Sequence, residues 1–363
     1  MGPIYVYGVV PAEEDMAFDT VGVDGDGGPV YAVPHHGIAA VVSTSPLENY
    51  RALGRQEAVT YLVAHQRVVE AVMRERPVLP VRFGTVLADA GVVQRLLAVG
   101  EARFTAALAE IADRVQMEVV VLWDLQEVFG EIAQQDEIAQ FRAQIAARPA
   151  EATVAERMAM GQKVHASLLE RRAALQSQLL PALRNVARDV VVNPPMDDSM
   201  VVNAALLLDP TDDGALDQEL ERLDQAFDGR LHLRCVGPLP PYSFATVEIV
   251  VPSFEAVDKA RQTLGLREVV RPAKIRQAYH RLAAQSHPDH RPDDSAAESR
   301  MAELADAYAL LNAYTEAQAL EGGTSPEGGD ASREALCHLD RATAERTLLI
   351  SVRRQELCGG DQA

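Results

Sequence analysis

Cysteine and long apolar runs are scarce in this chain of 363 residues. The three cysteines, Cys235, Cys337 and Cys358, lie far apart and form no Cys-x-x-Cys pair, which argues against a disulfide framework or a metal knuckle. No segment reaches the roughly 18 uninterrupted apolar residues that a membrane span needs. The first residues also lack the charged region and apolar core of a secretion signal. We therefore expect a cytoplasmic protein without a membrane partner.

Positive charge is scarce as well, since the net charge is −19 at pH 7. An acidic surface repels the phosphates of nucleic acid, so we expect no sequence-independent binding to DNA or RNA. Residues 259–291 depart from this balance, because they contain eight basic and two acidic side chains, a net charge of +6. Such asymmetry favours a docking face for an acidic partner, and a solvated helix is the plainer alternative.

Recognisable catalytic motifs are missing. His35 and His36 have no serine or cysteine nucleophile placed near them by a known motif, and neighbours on a strand point to opposite faces, which disfavours a shared site. The glycine-rich run from Gly22 to Gly28 lacks the lysine and the strand-then-helix setting of a nucleotide loop. We therefore expect no enzymatic activity, no cofactor and no metal site.

Hydrophobic periodicity predicts an α+β protein whose first domain is residues 1–125. The predicted strands of this domain are 4–10, 37–43, 78–83 and 118–122, and the predicted helices are 55–76 and 88–114. This order, ββαβαβ, is typical of a ferredoxin-like sandwich in which helices cover one face of the sheet.

The remaining residues are predicted to form four further regions. Residues 126–252 combine a helical connector with a second small α+β unit, whose last strand is 245–251. A helical domain is expected at 253–320. Glycine, serine, proline and acidic residues at 321–334 predict a flexible linker. A short helical tail is expected at 335–363, with candidate docking residues Leu336, Leu339, Leu348, Leu349 and Val352.

A His-Pro-Asp tripeptide, His287 to Asp289, lies between two amphipathic helical patterns. The apolar residues that recur at helical spacing are Ile275, Ala278, Tyr279 and Leu282 before it, and Met301, Leu304, Ala305, Tyr308 and Leu311 after it. Pro288 stops the first helix, so the loop presents an imidazole and a carboxylate at the tip of a helical hairpin. A metal site at His280, His287 and His290 is a weaker alternative, because no cysteine or carboxylate joins them at zinc spacing.

Residues 254–314 resemble a J-domain. They contain the Leu264-Gly265 pair, an I-x-x-A-Y-x-x-L-A helix that begins at Ile275, the His-Pro-Asp loop, and an A-Y-x-x-L helix that begins at Ala307. The resemblance implies a C-terminal helical J-domain hairpin that binds an Hsp70-type ATPase.

The same resemblance implies roles for single residues. His287, Pro288 and Asp289 would form the motif that activates Hsp70, and the residues that steer docking would be Lys274, Arg276 and Arg281. Gln277 and His290 stand where lysine is common in the family, which puts part of the electrostatic attraction in doubt.

Four strings in the first two thirds of the chain resemble the gas vesicle protein F/L family over residues 3–251. The strings are Tyr5–Val9, Gly37–Ser43, Pro77–Thr85 with Pro80, Arg82, Phe83 and Gly84, and Gly237–Phe244 with Pro238, Pro241 and Tyr242. The resemblance implies a two-part α+β body joined by helices, association with gas vesicles, and contact with their hydrophobic shell protein during assembly. For Arg82, a structural ion pair and a contact with a partner protein both remain open.

Together the two resemblances imply a gas vesicle assembly or accessory protein that contacts shell and accessory proteins, recruits an Hsp70 chaperone and stimulates its ATP hydrolysis. One alternative is a minor structural vesicle component whose J-like hairpin is not coupled to Hsp70. Another is a general J-domain co-chaperone unrelated to gas vesicles.

Overall fold

The chain divides into two compact units. The computed structural model describes residues 2–24, 28–146, 148–209, 213–286, 297–321 and 336–354. Unit 1 comprises Met1–Glu110 and Thr246–Arg353, and unit 2 comprises Ile111–Ala245 and Arg354–Ala363. Unit 1 is therefore built from both ends of the sequence, whereas sequence analysis placed domain boundaries after residues 125 and 252. Among the described helices, none is long and apolar enough to cross a membrane.

The N-terminal part of unit 1 is an antiparallel sheet with two helices. Its strands are β1 (Ile4–Pro11), β2 (Met16–Val21), β3 (Pro29–His35), β4 (Ile38–Thr44), β5 (Leu79–Pro80) and β6 (Val86–Leu87), and its helices are α1 (Arg55–Met73) and α2 (Ala90–Ile111). The strand order is β2-β3-β4-β1-β5, with β6 also paired to β1. Seven of the eight β1 residues are buried. The helix α1 packs on β1 and β2 and buries His65, Val68, Val69 and Val72.

Unit 2 is a four-stranded antiparallel sheet covered by helices. Its elements are β7 (Val115–Trp123), α3 (Leu125–Ala133), α4 (Asp136–Ala146), α5 (Val154–Val186), β8 (Asp189–Val192), β9 (Met200–Leu208), α6 (Asp213–Ala226) and β10 (Leu231–Leu239). The strand order is β10-β7-β9-β8. Alternate β7 residues Val119, Val121 and Trp123 share a buried cluster with Leu168 and Leu183 of α5, as the two-residue period of a strand dictates.

The C-terminal part of unit 1 is mainly helical. Its elements are β11 (Thr246–Val250), α7 (Phe254–Thr263), β12 (Val269–Val270), α8 (Pro272–Ser286), α9 (Ala297–Glu321), β13 (Cys337–His338), α10 (Arg341–Ala344) and β14 (Leu349–Arg353). The strands pair as two antiparallel ladders, β11 with β14 and β12 with β13. The α+β class and the C-terminal helical region are confirmed.

Two predicted strands belong to other sheets than expected. The strand predicted at 118–122 lies in β7, which pairs with β9 and β10 instead of closing the N-terminal sheet. The strand predicted at 245–251 lies in β11, which belongs to unit 1 and pairs with β14. The periodicity of a strand reveals its buried face but not its partner, so both strands were identified and both were placed in the wrong sheet.

The predicted helical tail was wrong in its described part. Residues 337–353 form β13, the single turn α10 and β14. β14 pairs antiparallel with β11, from Leu349 opposite Val250 to Arg353 opposite Thr246, so this segment is a strand rather than a helix. Of the candidate docking residues, Leu339 and Leu348 are buried, whereas Leu336 is exposed. The predicted linker is described only at Glu321, where α9 ends, and its other residues lie outside the described part of the chain.

The prediction that His35 and His36 point apart was also wrong. His36 and Gly37 form the two-residue turn between β3 and β4, and both have positive φ, 44° and 86°. Positive φ at both positions is the geometry of a type I′ hairpin turn. His36 is therefore outside the pleat of the strand, and its ring stacks on that of His35 with 4.2 Å between centroids.

Candidate functional site

The helices α7, α8 and α9 are held together by one apolar cluster. Ile275 and Ala278 of α8 are buried in it, as the sequence predicted. The rings of Tyr279 and Tyr308 stack at 4.5 Å with an interplanar angle of 17°, joining α8 to α9. In α9 the predicted stripe needs one correction: Ala305 is exposed, and the buried residues at this level are Leu304, Ala307 and Leu311.

The opposite side of α8 is cationic. The side chains of Lys274, Arg276 and Arg281 are exposed, while Ile275 and Ala278 of the same helix are buried. The Lys274 ammonium donates a hydrogen bond to Gln277 Oε1 at 3.0 Å, so one charge is held along the helix surface. The three residues predicted to steer docking are therefore all accessible to a partner.

The tripeptide His287, Pro288 and Asp289 lies outside the described residues. So does His290, and with it most of the alternative metal set. The structure describes α8 up to Ser286 and α9 from Ala297, which are the two helices that the sequence predicts on either side of the motif. The role of the tripeptide stays a prediction.

Residues 336–344 contact both α9 and α7. The side-chain amide of Gln318 donates to the His338 carbonyl oxygen at 2.7 Å and accepts from the His338 backbone N–H at 3.0 Å. Tyr314 Oη donates to the same carbonyl at 3.1 Å. The Arg341 guanidinium lies 4.4 Å from the Phe254 ring centroid, so the segment also contacts α7. This contact was not predicted, because residues 335–363 were expected to form a separate helical tail.

Cys337 of β13 is a packing residue of this region. It is buried in the cluster of α7, α8 and α9. Burial raises the pKa of its thiol to about 12, so the thiolate that would act as a nucleophile or metal ligand is not formed near neutral pH.

Arg82, from the family string Pro77–Thr85, forms a structural ion pair. Its Nη1 lies 2.7 Å from Glu248 Oε1, and Arg353 Nε lies 2.6 Å from Glu248 Oε2. The Arg82 backbone N–H also donates to the Val247 carbonyl at 2.9 Å, while Val81 forms a parallel bridge with Val247. The string containing buried Pro80 therefore connects the N-terminal sheet to the β11–β14 ladder.

Phe83, which follows Arg82, belongs to an aromatic cluster. Its ring packs edge-on against those of Tyr50 and His65, and its centroid lies 5.8 Å from the Tyr50 centroid and 5.9 Å from the His65 centroid. Gly84 has φ of 79°, and its N–H donates to Tyr5 Oη at 2.9 Å. A positive φ is costly for residues with a Cβ, which explains the glycine after the phenylalanine.

The family string Gly237–Phe244 ends β10 and leads to a turn in unit 2. The Gly237–Pro238 peptide bond is cis. A Cβ at Gly237 would lie 2.3 Å from Met117 Sδ and 2.9 Å from the Gln116 carbonyl, so only glycine fits this close approach. The Pro241 carbonyl accepts hydrogen bonds from two residues that follow Tyr242 in the turn, Phe244 and Ala245. This string therefore has a packing role within unit 2.

Family comparisons agree with both parts of this architecture. Residues 3–246 match the sequence model of the gas vesicle synthesis protein GvpL/GvpF family. Gas vesicle protein F of Nostoc sp. (strain PCC 7120) is 28% identical over 249 residues, which are 67% of this chain and 98% of that protein. Gas vesicle protein L of Streptomyces sp. (strain CB03234) is 30% identical over 266 residues, 67% of this chain and 92% of that protein.

Structural and J-domain comparisons complete the assignment. The crystal structure of GvpF from Anabaena sp. PCC7120 is similar with a TM-score of 0.57 and 26% identity, covering 67% of this chain and 98% of that one. Residues 261–319 match the DnaJ domain. A stretch of 49 residues, 14% of this chain, is 41% identical to 12% of chaperone protein DnaJ of Chlamydia felis. The chain therefore belongs to the GvpL/GvpF family of gas vesicle synthesis proteins, and it contains a C-terminal DnaJ domain.

Proposed function

We propose that this chain assists gas vesicle assembly by bringing an Hsp70-type ATPase to shell proteins and stimulating its ATP hydrolysis. The observation that supports this most strongly is the joining of a DnaJ domain to a GvpL/GvpF body in one chain. In this proposal His287, Pro288 and Asp289 trigger hydrolysis, and the chain acts in the cytoplasm at the growing vesicle. It has no catalytic activity of its own.

The charge of α8 supports the Hsp70 part. Lys274, Arg276 and Arg281 give this helix an exposed cationic side in a chain whose net charge is −19. Opposite charge on a partner would accelerate encounter and orient docking. The contacts of residues 336–344 described above are made with α7 and α9, so the cationic side of α8 stays exposed.

The DnaJ helices are connected to the N-terminal sheet. This connection supports coupling between Hsp70 recruitment and shell-protein binding. The helices lie in sequence between β11 and β14, which pair with each other, and β11 contacts the N-terminal sheet through Val81 and Arg82. Both ends of the helical region are thus attached to the same ladder. An Hsp70 bound to α8 would therefore act close to a shell protein bound by the N-terminal sheet and its helices.

An apolar stripe on α1 is our candidate for the shell-protein contact. Val59, Leu62 and Val63 lie on one side of this helix and are 51%, 44% and 49% exposed. Adjacent exposed apolar side chains of this kind mark interaction surfaces. The shell protein is expected to be hydrophobic, so its unassembled subunits would bind such a stripe. Replacing Leu62 by Asp should reduce co-purification of the shell protein, whereas Val154→Asp, at an exposed position of α5, should not.

The Hsp70 part is tested by single-turnover ATP hydrolysis with the full chain and an Hsp70 of the same organism. We expect stimulation by the wild type, none by His287→Gln, and weaker stimulation by Lys274→Glu and Arg281→Glu. Arg142→Glu, at an exposed position of α4 outside the basic segment 259–291, is the matched charge reversal and should behave as the wild type. Stimulation should also fall as salt screens the cationic side of α8.

The outcomes separate the proposal from its alternatives. Undiminished stimulation by His287→Gln would remove the proposed trigger. An absence of any stimulation by the wild type would favour a structural vesicle component with an uncoupled hairpin. Stimulation without any co-purifying shell protein would favour a general co-chaperone.

A further inference from the structure

The turn between β3 and β4 brings two imidazoles and a carboxylate together. His35 Nε2 lies 3.4 Å from Glu101 Oε2, and His36 Nδ1 lies 3.2 Å from the same oxygen. Glu101 belongs to α2, so the cluster joins the tip of a hairpin to a helix of the same unit. One ligand atom from each of the three residues lies within 4.8 Å of the other two. Neither imidazole has a part in the proposed Hsp70 or shell-protein contacts.

The two nitrogen-to-oxygen distances suit a tetrahedral metal ion. The rings of His35 and His36 are stacked, and an imidazole binds a metal in its own plane, so the exposed His36 side chain must turn to direct Nδ1 at the ion. Nitrogen and oxygen ligands lie about 2.1 Å from Zn²⁺, so two ligands at the tetrahedral angle are about 3.4 Å apart. The two nitrogen-to-oxygen distances of 3.4 and 3.2 Å are close to that spacing. Imidazole and carboxylate together are ligands typical of Zn²⁺ and neighbouring first-row metals, rather than of Mg²⁺ or Ca²⁺.

The backbone conformation of the β3–β4 turn brings the two imidazoles together. In a regular strand His35 and His36 would point to opposite faces. The positive φ of His36, 44°, instead places its ring against that of His35. Asparagine is among the residues most favoured at this position of a type I′ turn, and histidine here adds a metal ligand while retaining the turn.

We propose that His35, His36 and Glu101 form a binding site for a divalent transition-metal ion such as Zn²⁺. Three protein ligands leave the fourth tetrahedral position to water or to a ligand atom of another molecule. The side chain of His36 is 74% exposed, so that fourth position faces solvent. A metal there would hold the β3–β4 turn against α2. This inference is independent of the proposed co-chaperone function.

The site is tested by titrating the tag-free full chain with ZnCl₂ in a calorimeter. We expect the wild type to bind one more equivalent of Zn²⁺ than His36→Asn, which removes a ligand and supplies a residue favoured in the turn. Glu101→Gln should weaken the same equivalent by at least about tenfold, since even loss of an outer-shell partner costs that much. His165→Asn, at an exposed position of α5, is the matched control and should bind as the wild type.

Hydrogen exchange gives a second measurement that other zinc sites on the chain would not change. Zn²⁺ should slow amide exchange in peptides from residues 29–44 and 90–111 of the wild type and of His165→Asn, and in neither peptide of His36→Asn. Equal stoichiometry and affinity in the wild type, His36→Asn and Glu101→Gln would overturn the proposal. So would absence of Zn²⁺ binding by the wild type at millimolar metal, which would reduce the cluster to a surface ion pair.

Discussion

His65 is a buried ionisable residue at the centre of an aromatic cluster. It is 2% exposed, and its ring packs against Tyr5, Tyr7 and Phe83. Its Nδ1 is 3.1 Å from Tyr5 Oη, while its buried Nε2 has no hydrogen-bond partner among the residues that the structure describes. Burial lowers the pKa of this imidazole from 6.5 to about 4, because the charged form would be cut off from water.

This shift predicts that unit 1 loses stability as the solution is acidified. Above pH 6.5 the imidazole is neutral in both the folded and the unfolded chain. Between pH 6.5 and 4 only the unfolded chain takes up the proton, so the free energy of unfolding falls as the pH falls. One pKa unit corresponds to about 1.4 kcal/mol, which gives a loss of about 2 kcal/mol between pH 7 and pH 5 and about 3 kcal/mol below pH 4.

The perturbation that isolates this effect is His65→Phe, which fills the aromatic site with a ring that does not titrate. Urea unfolding followed by circular dichroism at pH 7 and pH 5 should show a loss about 2 kcal/mol larger in the wild type than in the variant. The fluorescence of Trp123, the single tryptophan, reports unit 2 and serves as an internal control. Equal losses in both proteins would refute the reasoning, as would an NMR titration that gives His65 a pKa near 6.5.

Three further substitutions test packing contacts in unit 1. Gly84→Ala should lower the free energy of unfolding in urea by about 1–2 kcal/mol, because φ is 79° at this position; an unchanged midpoint would contradict the strained backbone. Gln318→Ala should lower it by about 1 kcal/mol and speed amide exchange at His338, since two hydrogen bonds to its backbone are lost. Glu248→Gln should cost about 1 kcal/mol or less, with the loss shrinking in high salt, because the paired Arg82 side chain is 58% exposed.

Sequence patterns predicted the DnaJ region well because its helices are specified locally. The spacing of Ile275 and Ala278 places both on one side of α8, and the structure buries both. In α9 the error was a single position, Ala305 instead of Ala307. The family strings likewise indicated the GvpL/GvpF body, and the comparisons confirmed it.

The features that the sequence did not reveal depend on pairing between distant residues. β11 pairs with β14, about a hundred residues later in the chain, and no sequence pattern within either strand specifies this pairing. The discontinuous unit 1 follows from this pairing. The cluster of His35, His36 and Glu101 was missed for a related reason: the turn changes the direction of one side chain, and α2 supplies the third.

The central claim is that Hsp70 activation by this chain serves gas vesicle formation. It is tested most directly by pressure-collapsible light scattering of cells that lack the chain and are complemented with full-length variants. The account predicts that the deletion removes the collapsible scattering, that the wild type restores it, and that His287→Gln, produced at the same level, does not. Full restoration of the scattering by His287→Gln, or its persistence in the deletion strain, would contradict the account.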